Sequence, residues 1–138
     1  MLAYIAGPLF NENEREFLKE INTVCRAIGI STYLPSQDGG LLRKDNDDEV
    51  FQTDIKALNK ADLVVANLNG VDVDSGTAFE LGFAFAKAKK LFGLHTDFRT
   101  FSSTSEVNLM MLKSCVICHS LHELDTVLRK YYRSEIAI

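Results

Sequence analysis

The chain has 138 residues, 46% of them hydrophobic and 25% charged, with 15 Lys+Arg against 19 Asp+Glu for a net charge of -4. These figures suit one globular domain spanning residues 1–138 and exclude a disordered chain, a collagen-like repeat and a Pro-rich linker. A mildly acidic protein (pI near 5.3) also makes a poor partner for nucleic acid or an anionic membrane, since neither would be attracted to it.

Along the chain, short aliphatic runs alternate with longer amphipathic ones. Residues 2–6 (Leu-Ala-Tyr-Ile-Ala) predict a buried strand ended by Gly7-Pro8. Phe17, Leu18, Ile21, Val24, Cys25 and Ile28 recur at helical spacing and predict a helix over 12–28, stopped by Gly29. Residues 30–34 predict a second strand, and Pro35 to Gly40 a loop. The acidic run from Asp45 to Glu49 leads into a helix carrying Val50, Phe51, Ile55 and Leu58. Asp62 to Leu68 is the clearest strand, a continuous apolar run of the kind buried on both faces of a parallel sheet. A helix over about 75–88, a strand at 91–95, a polar loop at 96–104 and a short helix at 105–113 follow. A strand at 115–118 and a helix over about 121–133 close the chain.

Five strands alternating with helices predict right-handed βαβ units. The expected fold is therefore α/β, a flavodoxin-like three-layer sandwich. Its five-stranded parallel sheet has order 2-1-3-4-5 and helices on both faces. In such sheets ligands bind beyond the carboxyl ends of the strands, at the switch point between the first and third. Here those are the turns after Ala6 and Leu68.

The N-terminus, Met1 to Gly7, has neither the basic start nor the apolar length of a secretory signal. No stretch approaches the roughly 20 apolar residues of a transmembrane helix. Three cysteines do not make a disulfide framework, so a cytoplasmic location is expected.

The turn after the third strand runs Asn69-Gly-Val-Asp-Val-Asp74-Ser-Gly76-Thr-Ala-Phe-Glu80-Leu-Gly82-Phe-Ala84. Asp74 or Ser75 is a natural N-cap, and Glu80 lies about one turn inside, where the helix dipole favours a carboxylate. Gly76 and Gly82 permit close approach of backbone or ligand. On spacing alone this is a capped helix with an exposed Glu and a glycine chosen for packing.

Four motifs in order resemble the nucleoside 2-deoxyribosyltransferase family. The string from Asp74 to Ala84 is similar to its signature, and Tyr4-Ile-Ala-Gly7-Pro8-Leu-Phe10 to its first strand and turn. Gln52-Thr-Asp54-Ile followed by Ala61-Asp62 resembles the segment with its second active-site Asp. Val107-Asn108-Leu-Met110 resembles the segment that each subunit lends to a neighbour's site. The resemblance implies Glu80 as nucleophile, forming a glycosyl ester with the 2-deoxyribosyl group. It further implies Asp54 as general acid toward the departing base and Tyr4 as the hydroxyl that holds Glu80. Gly7, Phe10, Asp74, Gly76, Asn108 and Met110 are the implied substrate-binding residues. Without the resemblance, Tyr4 reads as a core aromatic.

The resemblance also bears on substrate. In the transferases the positions of Asp74 and Asn108 hydrogen-bond a free 5-hydroxyl, whereas related 5-monophosphate N-glycosidases place small hydroxyl residues there to receive a phosphate. An ionised Asp repels a phosphate dianion and accepts strongly from a hydroxyl. Pro8-Leu9-Phe10 likewise lacks the Ser and Arg that would hold a phosphate. The terminal stretch Leu128 to Tyr132, by contrast, resembles the glycosidase end, so the role of Ile138 is left open. The expected partners are 2-deoxynucleosides, free nucleobases and further copies of the chain, with no metal or organic cofactor. Hydrolysis of the same bond is the nearest alternative, and a non-catalytic nucleotide-metabolite binding module the alternative of another class. Base preference is expected to depend on loops 35–46 and 96–104.

Other signals weigh less. Cys115-Val-Ile-Cys118-His119 matches a haem-attachment pattern, yet in a strand the two cysteines point to opposite faces, which leaves buried core cysteines as the expectation. His95 and His122 are isolated in the sequence. The run Asp45 to Glu49 lacks the spacing and Gly of a calcium loop and reads as a solvated helix start. Phe98 and Phe101 are placed either to stack on a base or to pack against another subunit.

Overall fold

The computed structural model describes residues 1–40 and 44–137. The elements run β1 (Leu2–Ala6), α1 (Glu12–Ile28), β2 (Ser31–Tyr33), α2 (Pro35–Asp38), α3 (Asp47–Lys60) and β3 (Leu63–Asn67). Then come α4 (Ser75–Ala86), β4 (Lys90–Leu94), α5 (Leu109–Ser114), β5 (Val116–Cys118) and α6 (Leu121–Ile136). All strand pairs are parallel and the order is β2-β1-β3-β4-β5, the flavodoxin-like arrangement expected.

The alternation of side chains along each strand divides the core in two. Ala3, Ile5, Leu63, Val65, Phe92, Leu94 and Cys118 face one way and pack on Leu18, Ile21 and Cys25 of α1 and Leu124 and Leu128 of α6. Tyr4, Ala6, Val64, Ala66 and Leu91 face the other way, onto Leu58 of α3, Leu81 and Ala84 of α4 and Met111 of α5. Each fully buried Leu or Ile contributes about 1.5–3 kcal/mol, so both faces are held chiefly by burial. Cys118 belongs to the first face and Cys115 packs against the second, as strand alternation requires.

Several expectations need correction. Pro35 to Asp38 is a short helix, because Pro35 is pre-set for the first helical position and the Asp38 side chain accepts from Leu34 N at 2.8 Å. Residues 101–106 form a turn, with Phe101 N donating to Glu106 O, so α5 starts only at Leu109 under its Asn108 cap. The last helix extends to Ile136. His95 is not isolated. Parallel β4 and β5 end side by side, which brings His95 Nδ1 within 3.4 Å of Glu106 and His119 Nε2 within 2.9 Å of the same carboxylate. Residues 41–43 of the loop 35–46, and Ile138, lie outside the described residues.

Candidate active site

Helices α3 and α4 lie side by side on one face of the sheet and carry the two candidate carboxylates. Asp54 lies midway along α3, and Glu80 follows the first turn of α4. Tyr4, Asp54 and Glu80 meet in one cleft of about 230 Å³, with Gly76 also on its wall. Glu80 is partly buried, which is at odds with an exposed helical Glu. Burial pushes its carboxyl up to about 7; the Tyr4 phenol pulls the other way, and the charges of Asp54 and Asp74 push further up.

Tyr4 is fully buried in the β1 layer, so it is a core aromatic as well as a cleft residue. Its hydroxyl is close enough to Glu80 to favour the carboxylate, yet among the described residues it makes no hydrogen bond within normal distance and angle. A buried unpartnered hydroxyl is costly, and a reoriented Glu80 would satisfy it. Burial, then the neighbouring carboxylates, raise the phenol far above its ordinary pKa, so it remains a donor.

Asp54 is half-buried. Burial raises its pKa, and a 2.8 Å hydrogen bond from Tyr33 Oη to Oδ1 opposes that shift. Tyr33 lies on β2 directly beside Tyr4 on β1, and the rings stack with centroids 5.4 Å apart. Gly39 lies against the same pair: a Cβ there would sit 2.6 Å from Asp54 Oδ1 and 2.7 Å from Tyr33 Oη. Tyr33 and Gly39 carry no motif of their own in the sequence, and only the fold draws them to Asp54.

Asp74 is the N-cap of α4, with Oδ2 accepting from both Thr77 N and Thr77 Oγ1 at 3.0 Å. Gly76 leaves room for this cap, since a Cβ there would lie 3.3 Å from that oxygen. Gly7 admits the Leu18 side chain, which a Cβ would meet at 2.6 Å, and Phe10 is exposed. Neither lines the carboxylate cleft.

Asn108 and Met110 are also apart from it. They line a larger groove of about 650 Å³ between α4 and α5, together with Leu81, Gly82, Phe85 and Leu109. Asn108 caps α5 by accepting from Met110 N, and Met110 is 73% exposed. Among the described residues a Cβ on Gly82 would meet nothing within 4 Å, so that glycine is not needed for packing against them.

Phe51 and Phe79, both about half exposed, line the carboxylate cleft. Phe98, 93% exposed, and Phe101 do not. The signal for Phe51 was its position one helical turn before Asp54, which puts both on one side of α3. Among the described residues no cluster of three or more His, Cys, Asp or Glu is arranged to hold a metal, and no helix is long and apolar enough to cross a membrane.

Comparison with known proteins places this fold. The chain resembles the 2-deoxyribosyltransferase of Bacillus psychrosaccharolyticus (TM-score 0.77, 21% identity, covering 91% of this chain and 90% of that one). It also resembles a 2-deoxyribosyltransferase from Leishmania mexicana (TM-score 0.71, 21% identity, 97% of each chain). A CMP N-glycosidase from Clostridium botulinum is similar too (TM-score 0.62, 21% identity, 95% of this chain and 99% of that one). These likenesses establish the shared fold. No curated protein sequence matches the chain. The sequence profile described as nucleoside 2-deoxyribosyltransferase matches residues 3–118, most of the sequence. The chain belongs to the nucleoside 2-deoxyribosyltransferase family.

Proposed function

We propose that the protein moves a 2-deoxyribosyl group from one nucleobase to another through an ester on Glu80. The observation that carries this reading is the convergence of Glu80, Asp54 and Tyr4 in one cleft. A Glu80 oxygen attacks the anomeric carbon as the N-glycosidic bond breaks, and its electron pair leaves on the base nitrogen. Asp54 gives that nitrogen a proton, since a base anion is a poor leaving group. In the second step an incoming base attacks the same carbon, Asp54 takes its proton back, and the Glu80 carboxylate is released. Two inversions give net retention.

The productive state needs Glu80 ionised and Asp54 protonated. Positive charge developing at the anomeric carbon draws Glu80 to its ionised form, and a carboxylate in a low-dielectric cleft stabilises that charge strongly. The missing 2-hydroxyl makes the cation easier to reach. Phe51 and Phe79, at the cleft wall, offer apolar ring faces to a base.

A nucleoside fits better than a nucleotide. The N-terminus of α1 is capped by Asn11, which accepts from Glu14 N, and carries Glu12 and Glu14 in its first turn. That of α4 is filled by Asp74. Neither helix end offers the free N–H groups and positive potential that a phosphate requires.

A homo-oligomer completes the site. Helix α4 is apolar on nearly every side, exposing Phe79 and Phe85, and α5 exposes Leu109 and Met110 beside them. A helix apolar all round is built to be covered. A second copy on this groove would cover it and carry its Asn108 and Met110 toward its neighbour's cleft. Water in place of the second base would make the same chemistry a hydrolysis.

Incubation with deoxyinosine, with and without adenine, tests the reading. Deoxyadenosine formed only when adenine is present is the expected result. Free deoxyribose as the sole sugar product would reassign the protein as an N-glycosidase. No turnover of any deoxynucleoside or its monophosphate would leave a binding module.

A further inference from the structure

We propose that Tyr33 is a positioning residue for Asp54: its phenol occupies Oδ1, so that the proton handed to the leaving base resides on Oδ2. This rests on the reading of Asp54 as the acid of the site. Tyr33 Oη donates to Oδ1 at 2.8 Å, and among the described residues Oδ2 has no hydrogen-bond partner. A proton on Oδ1 would turn the phenol into an acceptor. The phenol would then lose its carboxylate acceptor, and among the described residues Tyr33 Oη has no second protein partner to replace it. The two oxygens are therefore unequal, and Oδ2 is the one free to act.

The phenol is held in place. Its ring stacks on Tyr4 at an interplanar angle of 20°, and Tyr4 is fixed in the sheet core. Gly39 closes over both groups, leaving no space for a side chain. Asp54 must give up a proton in one half of the transfer and recover it in the other. Burial alone would bias it toward keeping the proton, and the Tyr33 hydrogen bond opposes that bias.

Two measurements on Tyr33→Phe test the proposal. The first is the carboxyl-carbon NMR titration of Asp54, assigned by its loss in Asp54→Asn. The Asp54 signal is expected to titrate at higher pH in Tyr33→Phe, and an unchanged titration overturns the proposal. The second compares deoxyinosine with 7-methyl-deoxyguanosine, whose base departs without an added proton. Tyr33→Phe is expected to slow deoxyinosine cleavage by about tenfold and to leave the methylated substrate within about twofold. Equal slowing of both substrates would mean a merely structural role and overturn the proposal, as would no slowing of either. If Asp54→Asn itself cleaves deoxyinosine at the unaltered rate, the reading of Asp54 as the acid fails, and the NMR shift still decides whether Tyr33 controls its protonation.

Discussion

Tyr4 and Tyr33 are register partners on the adjacent parallel strands β1 and β2, and their rings stack 5.4 Å apart. Each serves a different carboxylate: the Tyr4 phenol faces Glu80, and Tyr33 donates to Asp54. Parallel pairing puts the two side chains on the same face of the sheet. One strand pair thereby positions a phenol beside each of the two candidate carboxylates.

Glu80 sets a pH dependence of stability. Its carboxyl is held at about 7, against an ordinary 4.5, so the folded chain keeps the proton that the unfolded chain loses first. Below about pH 4.5 both states are protonated and Glu80 costs nothing. Between there and pH 7 stability falls, and above pH 7 the full cost is about 3 kcal/mol. Glu80→Gln is therefore expected to gain stability relative to the unaltered protein as pH rises from 4.5 to 8. Urea unfolding at the two pH values checks it, and a pH-independent difference would contradict the buried carboxylate.

The same residue should be trapped covalently. Glu80→Ala is expected to abolish transfer while leaving the circular dichroism spectrum unchanged. Mass spectrometry of the unaltered protein, quenched in acid after mixing with a deoxynucleoside, should find one deoxyribosyl group on the peptide that carries Glu80. Activity that survives Glu80→Ala would remove the ester from the mechanism.

Gly39→Ala probes the space beside Asp54. The added methyl lands 2.6 Å from Oδ1 and 2.9 Å from the Pro35 carbonyl, so the backbone or the Tyr33–Asp54 pair must shift. Overpacking of this kind costs about 1–3 kcal/mol. Cleavage of deoxyinosine should fall at least as far as in Tyr33→Phe, because both the acid and its partner are displaced. A variant with unaltered kcat and unfolding midpoint would show that the contact is soft.

Subunit sharing predicts complementation. Glu80→Ala and Asn108→Ala are each expected to be poorly active alone. Mixed and re-equilibrated, they should recover activity, since one site of a mixed pair then holds both native residues. Met110→Lys, which places a charge on an exposed apolar side chain of the groove, should lower the assembly size in light scattering and the activity together. A protein that is monomeric and fully active at assay concentration would refute a shared site.

Much of the fold and part of the site can be read directly from the residues. The strand-and-helix alternation, Gly29 as a left-handed helix stop and Asp74 as the α4 cap all rest on interactions spanning a few residues, which a sequence displays openly. The motif around Glu80 stands out only through its family resemblance, since its spacing alone reads as a capped helix. The missed α2 is local too, but four residues are too short for periodicity to register.

Composition and spacing alone determined that this is a mildly acidic α/β chain with carboxylates at the switch end of a parallel sheet. Tertiary structure alone decided which groups share a cleft. It joined Tyr33 and Gly39 to Asp54, put Phe51 and Phe79 rather than Phe98 and Phe101 beside the carboxylates, and seated Asn108 and Met110 in a separate groove. The reason is physical. Tyr33 and Asp54 are 21 residues apart, and their hydrogen bond depends on β2 lying beside β1 while α3 packs over that same face. Such contacts follow from strand register and helix packing, which no periodicity along the chain encodes.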